Sequence, residues 1–177
     1  ADGTYKVGDV ITVTVTFNDN VVVTGTPRVL LEMGSTDRYS TYSGGTGTNT
    51  LSFTYTLQSG DNNADLDYQS TSALGLNSGT IKSADGINAI LTLPTLGSAN
   101  SIAGQKAIVI DCVAPTVSSY NPTDGNTAVT INQNLVLTFN ENVKRGASGS
   151  IVIYNSGGTA FETIPYDDSR ITFSSNT

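Results

Sequence analysis

Ile11-Thr12-Val13-Thr14-Val15-Thr16-Phe17-Asn18-Asp19-Asn20-Val21 alternates apolar and polar residues as far as Phe17 and then turns polar. A period of two marks a half-buried strand, so Ile11, Val13, Val15 and Phe17 should face a core and the three threonines should face out. The second half of the stretch recurs. Leu137-Thr138-Phe139-Asn140-Glu141-Asn142-Val143 repeats the order apolar, Thr, Phe, Asn, acid, Asn, Val. Asp2-Gly3 aligns with Asp124-Gly125 at the same offset of 122 residues, the separation of Phe17 from Phe139. A period of that length is domain-sized. It predicts two modules, in each of which a core strand ends in an Asn-acid-Asn turn that carries a carboxylate to one end.

Outward from this stretch, short alternating segments continue. Val29 to Met33 and Leu51, Phe53, Tyr55 and Leu57 read as strands, and Arg38 to Tyr42 reads as a weaker one, suited to a sheet edge. Gly44-Gly45-Thr46-Gly47, Gly60 to Asp65 and Asp85-Gly86 read as turns. Leu66-Asp67-Tyr68, Ile90 to Leu93 and Ala107 to Ile110 read as further strands, with a longer loop over 94–104. After Pro115, strands are expected at Val117–Tyr120, Asn134–Phe139, Ile151–Tyr154 and Arg170–Phe173. No 3.6-residue period lasts a helix length. The pattern is all-β, a sandwich divided near Asp111 to Pro115, where a proline cannot extend a central ladder. That places modules at 1–112 and 113–177. Thr177 aligns with Tyr55, so the second module should be incomplete, as in a window cut from a tandem array.

Composition narrows the chemistry. With 15 acids against 8 bases the net charge is −7, which disfavours nucleic acid and admits cations. Histidine is absent, removing the commonest general base and transition-metal ligand and with it a serine-hydrolase triad. The one cysteine, Cys112, permits neither an internal disulfide nor a thiolate-rich zinc site. The longest apolar runs are strand-sized, so no membrane insertion is expected. Ala1-Asp2-Gly3 does not read as a signal peptide, and any export signal is expected outside these residues.

Asp2-Gly3-Thr4-Tyr5-Lys6-Val7-Gly8-Asp9, Val23-Thr24-Gly25-Thr26-Pro27, Asp65-Leu66-Asp67-Tyr68 and Ile108-Val109-Ile110-Asp111 together resemble bacterial immunoglobulin-like repeats of large secreted adhesins and cell-surface proteins. Residues 114–177, through Ala114-Pro115-Thr116-Val117, Asn121-Pro122 and the repeated Leu137–Val143 stretch, resemble the immunoglobulin-like domain of bacterial S-layer proteins. The resemblance implies two tandem immunoglobulin-like β-sandwich modules, extracellular or at the bacterial cell surface. Their role would be that of a structural spacer or stalk, partnered by neighbouring modules of the same long chain. A non-catalytic carbohydrate-binding accessory module of a secreted polysaccharide-active enzyme is the alternative. This sequence departs from the family's usual Ser-Glu after the strand phenylalanine, having Asn18-Asp19.

Candidate sites follow. Strand order places Asp9, Asp61, Asp65 and Asp111 at the downstream end of the first module, with Glu141 at the upstream end of the second. Oxygen donors converging there suit Ca²⁺, which takes six to eight oxygens, and would stiffen the junction; the same acids also suit solvated turns. Both readings stand. Asp65 and Asp67, two apart on one strand, would set two carboxylates about 7 Å apart, the spacing of an inverting glycosidase. Acids on a wet strand face give the plainer account, and no enzyme is expected. Thr12, Thr14 and Thr16 should lie beside Ser52, Thr54 and Thr56 as a solvent face of cross-strand pairs. Tyr39 and Tyr42 should fall on opposite faces, giving no aromatic platform for sugar. Exposed edges in the incomplete module predict self-association.

Overall fold

The computed structural model describes residues 1–174, so the last three residues of the expected second module lie outside the described residues. The chain forms two compact units, Ala1–Ala114 and a second from Pro115 onward. Both are all-β apart from one helical turn.

In chain order the first unit contains β1 (Gly3–Tyr5), β2 (Val10–Thr24), β3 (Arg28–Leu31), β4 (Arg38–Gly44), β5 (Thr48–Thr56), β6 (Asn62–Asn63), β7 (Leu74–Gly75), β8 (Thr80–Ser83), α1 (Ile102–Gln105) and β9 (Ile108–Asp111). Six strands form one sheet in the order β7-β3-β4-β5-β2-β8, and three form another in the order β1-β9-β6. All pairs are antiparallel except β1 with β9, which run parallel with Gly3 opposite Ile108 and Tyr5 opposite Ile110. The alternation read in the sequence holds here. Ile11 and Val13 of β2, Val29 and Leu31 of β3, and Leu51 and Phe53 of β5 point into one apolar cluster with Ile108 and Ile110 of β9. Phe53 is fully buried, and Tyr42 meets its ring edge-on at 6.0 Å between centroids. Burial of a side chain of that size stabilises the fold by about 1.5–3 kcal/mol. Gly45 closes the β4–β5 turn at φ +105°, where a Cβ would stand 2.1 Å from the Thr50 carbonyl oxygen, so only glycine fits.

Four strand and turn expectations in the first unit are corrected. Asn18-Asp19-Asn20 is no turn, because β2 runs through it for fifteen residues. Its pairing with β5 jumps from Thr16↔Thr50 to Val21↔Thr48, and Val21–Thr24 pair with β8 on the other side. The polar triplet is therefore carried as an exposed bulge inside a strand. Arg38–Tyr42 is no edge, since β4 lies between β3 and β5. Its inward Ser40 is fully buried with its hydroxyl donating to the Val29 carbonyl, so an apolar signal was missing from a central strand. Ile90–Leu93 forms no ladder, as Ala89 N–H donates to Ile81 and Leu93 N–H to Thr71 with Ile90 left 83% exposed between them. Leu66-Asp67-Tyr68 keeps a single bridge, Leu31↔Tyr68.

The second unit contains β10 (Val117–Asn121) paired with β11 (Val136–Phe139), and β12 (Ser150–Tyr154) paired with β13 (Ala160–Pro165). The expected strand at Arg170–Phe173 is irregular chain. Arg170 instead holds Asp168 at 2.8 Å and Glu162 at 2.7 Å, while Arg145 donates to the carbonyls of Tyr166, Asp168 and Ile171. Among the described residues of this unit none is buried, and Ile131 and Phe161 are almost bare.

Candidate functional site

Three of the acids singled out from the sequence gather at one end of the first unit. Leu57 N–H donates to the Asp9 carbonyl, Gly60 N–H to Cys112, and Cys112 N–H to Asp61, while Asn62 pairs with Asp111. The buried Cys112 thiol is pushed up by burial and then by the charges of Asp61, Asp111 and Asp9.

Asp61 is the best-defined member. It is 1% exposed, and its carboxylate accepts from Arg38 Nε at 2.8 Å, Tyr55 Oη at 2.7 Å and Gln58 N at 2.8 Å. Burial by itself would raise its pKa, but the Gln58 N–H, Arg38 and Tyr55 together hold it below the usual carboxylate range. Tyr55 is raised well above an ordinary phenol by burial and by its bond to Asp61. A carboxylate with three donors already placed is a structural hub, tying β4, β5 and the turn before β6 together. Sequence reasoning placed Asp61 in a turn and missed this, because its ion partner Arg38 sits 23 residues away on another strand.

The other candidates are less fully engaged. Asp9 accepts from its neighbour Lys6 N–H at 2.8 Å. Asp65 sits exposed in a bend, where its own N–H donates to Asn63. Asp111 is half-buried at the end of β9, and Glu141 is half-buried just after β11 in the second unit. Among the described residues, no three His, Cys, Asp or Glu side chains come together as a metal-holding group.

Asp67 does not face the same way as Asp65, which corrects the paired-carboxylate geometry. It is 7% exposed and accepts from Gly97 N at 3.1 Å, Ile102 N at 3.2 Å and Tyr68 N at 3.0 Å. It thereby anchors the 94–105 loop and starts α1, whose first turn is capped by Ser101 accepting from Gly104 N–H at 3.1 Å. The sequence did hold a signal. An acid between Leu66 and Tyr68 in a core-facing run must find donors, and the Gly-, Ser- and Asn-rich 94–104 loop supplies them.

The outer face of the large sheet is the hydroxyl array expected, with Thr12 opposite Thr54, Thr14 opposite Ser52, and Thr16 opposite Thr50 with hydroxyls 3.3 Å apart. Tyr39 and Tyr42 fall on opposite faces, Tyr39 half-exposed and Tyr42 against Phe53. The Arg28 guanidinium lies 3.7 Å over the Tyr39 ring centre, so that face of the ring is already stacked.

Residues 111–177, well under half of the chain, match the family model described as a bacterial Ig-like domain. No curated protein and no solved structure matches the chain.

Proposed function

We propose that this chain is a load-bearing spacer of a bacterial surface protein, of the adhesin or S-layer kind, carried outside the cell between neighbouring modules. One observation carries the reading. β1 and β9, the first and last strands of the first unit, lie side by side and parallel. Tension applied through the two ends of the unit therefore loads their hydrogen bonds in shear, all at once, rather than peeling them in turn. The match of residues 111–177 to a bacterial Ig-like domain supports the same reading. So do Asp61 and Asp67, whose carboxylates hold the chain's own loops together.

Calcium binding by the first unit belongs to this proposal through Asp9, Asp65 and Asp111, since Asp61 is engaged by Arg38 and Tyr55. Calorimetry with Ca²⁺ on the wild type and on Asp9→Asn combined with Asp111→Asn tests that part. An unchanged isotherm in the double variant removes it.

Single-molecule pulling tests the spacer reading. The first unit should rupture in one event, releasing about 3.5 Å of chain per residue. Val109→Pro should lower the rupture force sharply, because Gly3 N–H donates to Ala107 and Leu66 N–H to Ile108, so residue 109 bonds towards β1. A force unchanged by this substitution would defeat the proposal.

A further inference from the structure

β2 pairs with β5 along one side from Val10 to Thr16, but on its other side β8 covers only Val21–Thr24. Leu57 N–H donates to the Asp9 carbonyl and Gly47 N–H to the Val21 carbonyl, so odd-numbered residues of β2 bond towards β5. The N–H and C=O groups of Val10, Thr12, Thr14 and Thr16 accordingly point to the open side, and nothing among the described residues pairs with them there. A groove of about 190 Å³ runs under the far end of this edge, floored by Val15, Phe17, Leu74, Leu91 and Leu93.

The repeat shows what fits. Thr14–Phe17 correspond to Val136–Phe139, which is β11, and β11 is covered by β10. Asn140 N–H donates to the Thr116 carbonyl, so Asn140, Thr138 and Val136 bond towards β10. These are the counterparts of Asn18, Thr16 and Thr14, so the open side of β2 is the side that β10 occupies on β11.

We infer that the free edge of β2 is a strand-accepting site, and that its occupant is the Thr116–Asn121 segment of a second copy of this chain. Side-chain chemistry agrees on both faces. Val117 and Tyr120 stand opposite Phe139 and Leu137, the counterparts of Phe17 and Val15, and would lie over the groove beside those two side chains. Ser119 and Asn121 stand opposite Thr138 and Val136, and would join Thr16 and Thr14 on the hydroxyl face. In its own unit β10 is exposed along its whole length, so exchange trades one ladder for an equal ladder over a real core. Donor and acceptor edges differ, so the contact is head-to-tail and links molecules into open chains or closed rings.

The test uses the full chain. Sedimentation should show a mass that rises with concentration, and the Thr14 and Thr16 amides should exchange roughly tenfold or more slowly in the concentrated sample. Thr14→Pro removes only an outward N–H from the acceptor, and Ser119→Pro disables the donor without touching the first unit. Each variant alone should stay monomeric, and the two mixed should give a one-to-one dimer. A synthetic peptide of residues 115–123 should cap the wild type as monomers. Three outcomes would overturn the inference: a wild type monomeric at every concentration, either variant alone still assembling, or Thr14 and Thr16 protected independently of concentration. The first or third would leave the pulling result, and so the spacer reading, untouched.

Discussion

The two copies of the repeated stretch take different forms. In the first unit Val15-Thr16-Phe17-Asn18-Asp19-Asn20-Val21 lies wholly within one fifteen-residue strand. In the second, Leu137-Thr138-Phe139 ends a four-residue strand, and Asn140-Glu141-Asn142 leaves the sheet. The local patterns match, so the difference comes from partners. β5 and β8 flank β2 and draw Val21–Thr24 back into the ladder, whereas among the described residues β11 has only β10. The same contrast separates the units. The first closes two sheets over one apolar cluster, while the described residues of the second form two isolated ladders with none buried. Alternation marks where a strand can form, and tertiary partners set how far it runs.

The sharpest way to break this comparison is to remove one apolar side chain from a strand of each unit. Phe53→Ala should destabilise the first unit by about 3–5 kcal/mol, whereas Leu137→Ala, 42% exposed, should stay within about 1 kcal/mol. Urea titration followed by residue-resolved amide signals separates the two transitions, and equal losses would show that the second unit has a core after all.

A smaller effect is expected at the Asp61 hub. Asp61→Asn should remove about 2 kcal/mol from the first unit by weakening its bonds to Arg38 and Tyr55. Because the folded carboxyl lies below its ordinary value of 3.8, its contribution is fully present above that pH. It is lost as pH falls through the lower folded value. Acid titration of the urea midpoint should therefore fall below about pH 4 in the wild type and fall less in Asp61→Asn. Parallel acid curves would refute the assignment.

Smaller again, and local, is Asp67→Ala. It should expose the Gly97 and Ile102 amides to rapid hydrogen exchange at a loss of about 1–2 kcal/mol, with the β2–β5 amides unaffected. Global loss of protection would mean that the loop and the sandwich are one cooperative body. The smallest response is expected at the exposed Arg170 cluster. Asp168, pulled down to about 2 by Arg170, is paired in the second unit with a largely exposed guanidinium, so Arg170→Ala should leave the first unit's melting temperature unmoved. Salt should mimic the substitution.

Much of the first unit was legible residue by residue. Ile11 to Phe17 and Leu51 to Leu57 alternate because one face is dry, and the structure pairs them in the register that makes the threonine face. Ser40 hid a central strand, because a buried hydroxyl satisfied by the Val29 carbonyl looks polar in sequence. Asp61 and Asp67 were visible as acids near turns, but not as hubs. Arg38, Gly97 and Ile102, which tie them to other elements, lie 23, 30 and 35 residues away, and such distances along the chain carry no local signal.

By itself, then, the sequence determined the all-β class, the inward and outward faces of its strands and the internal repeat, because period two and turn residues are local properties. Tertiary structure alone decided that Asn18-Asp19-Asn20 is a bulge, that β1 and β9 lie parallel, and that Val10–Thr16 keeps an open edge. Each of these depends on which backbone groups find partners across the fold, and hydrogen-bond pairing between distant segments is settled only when the sheets assemble.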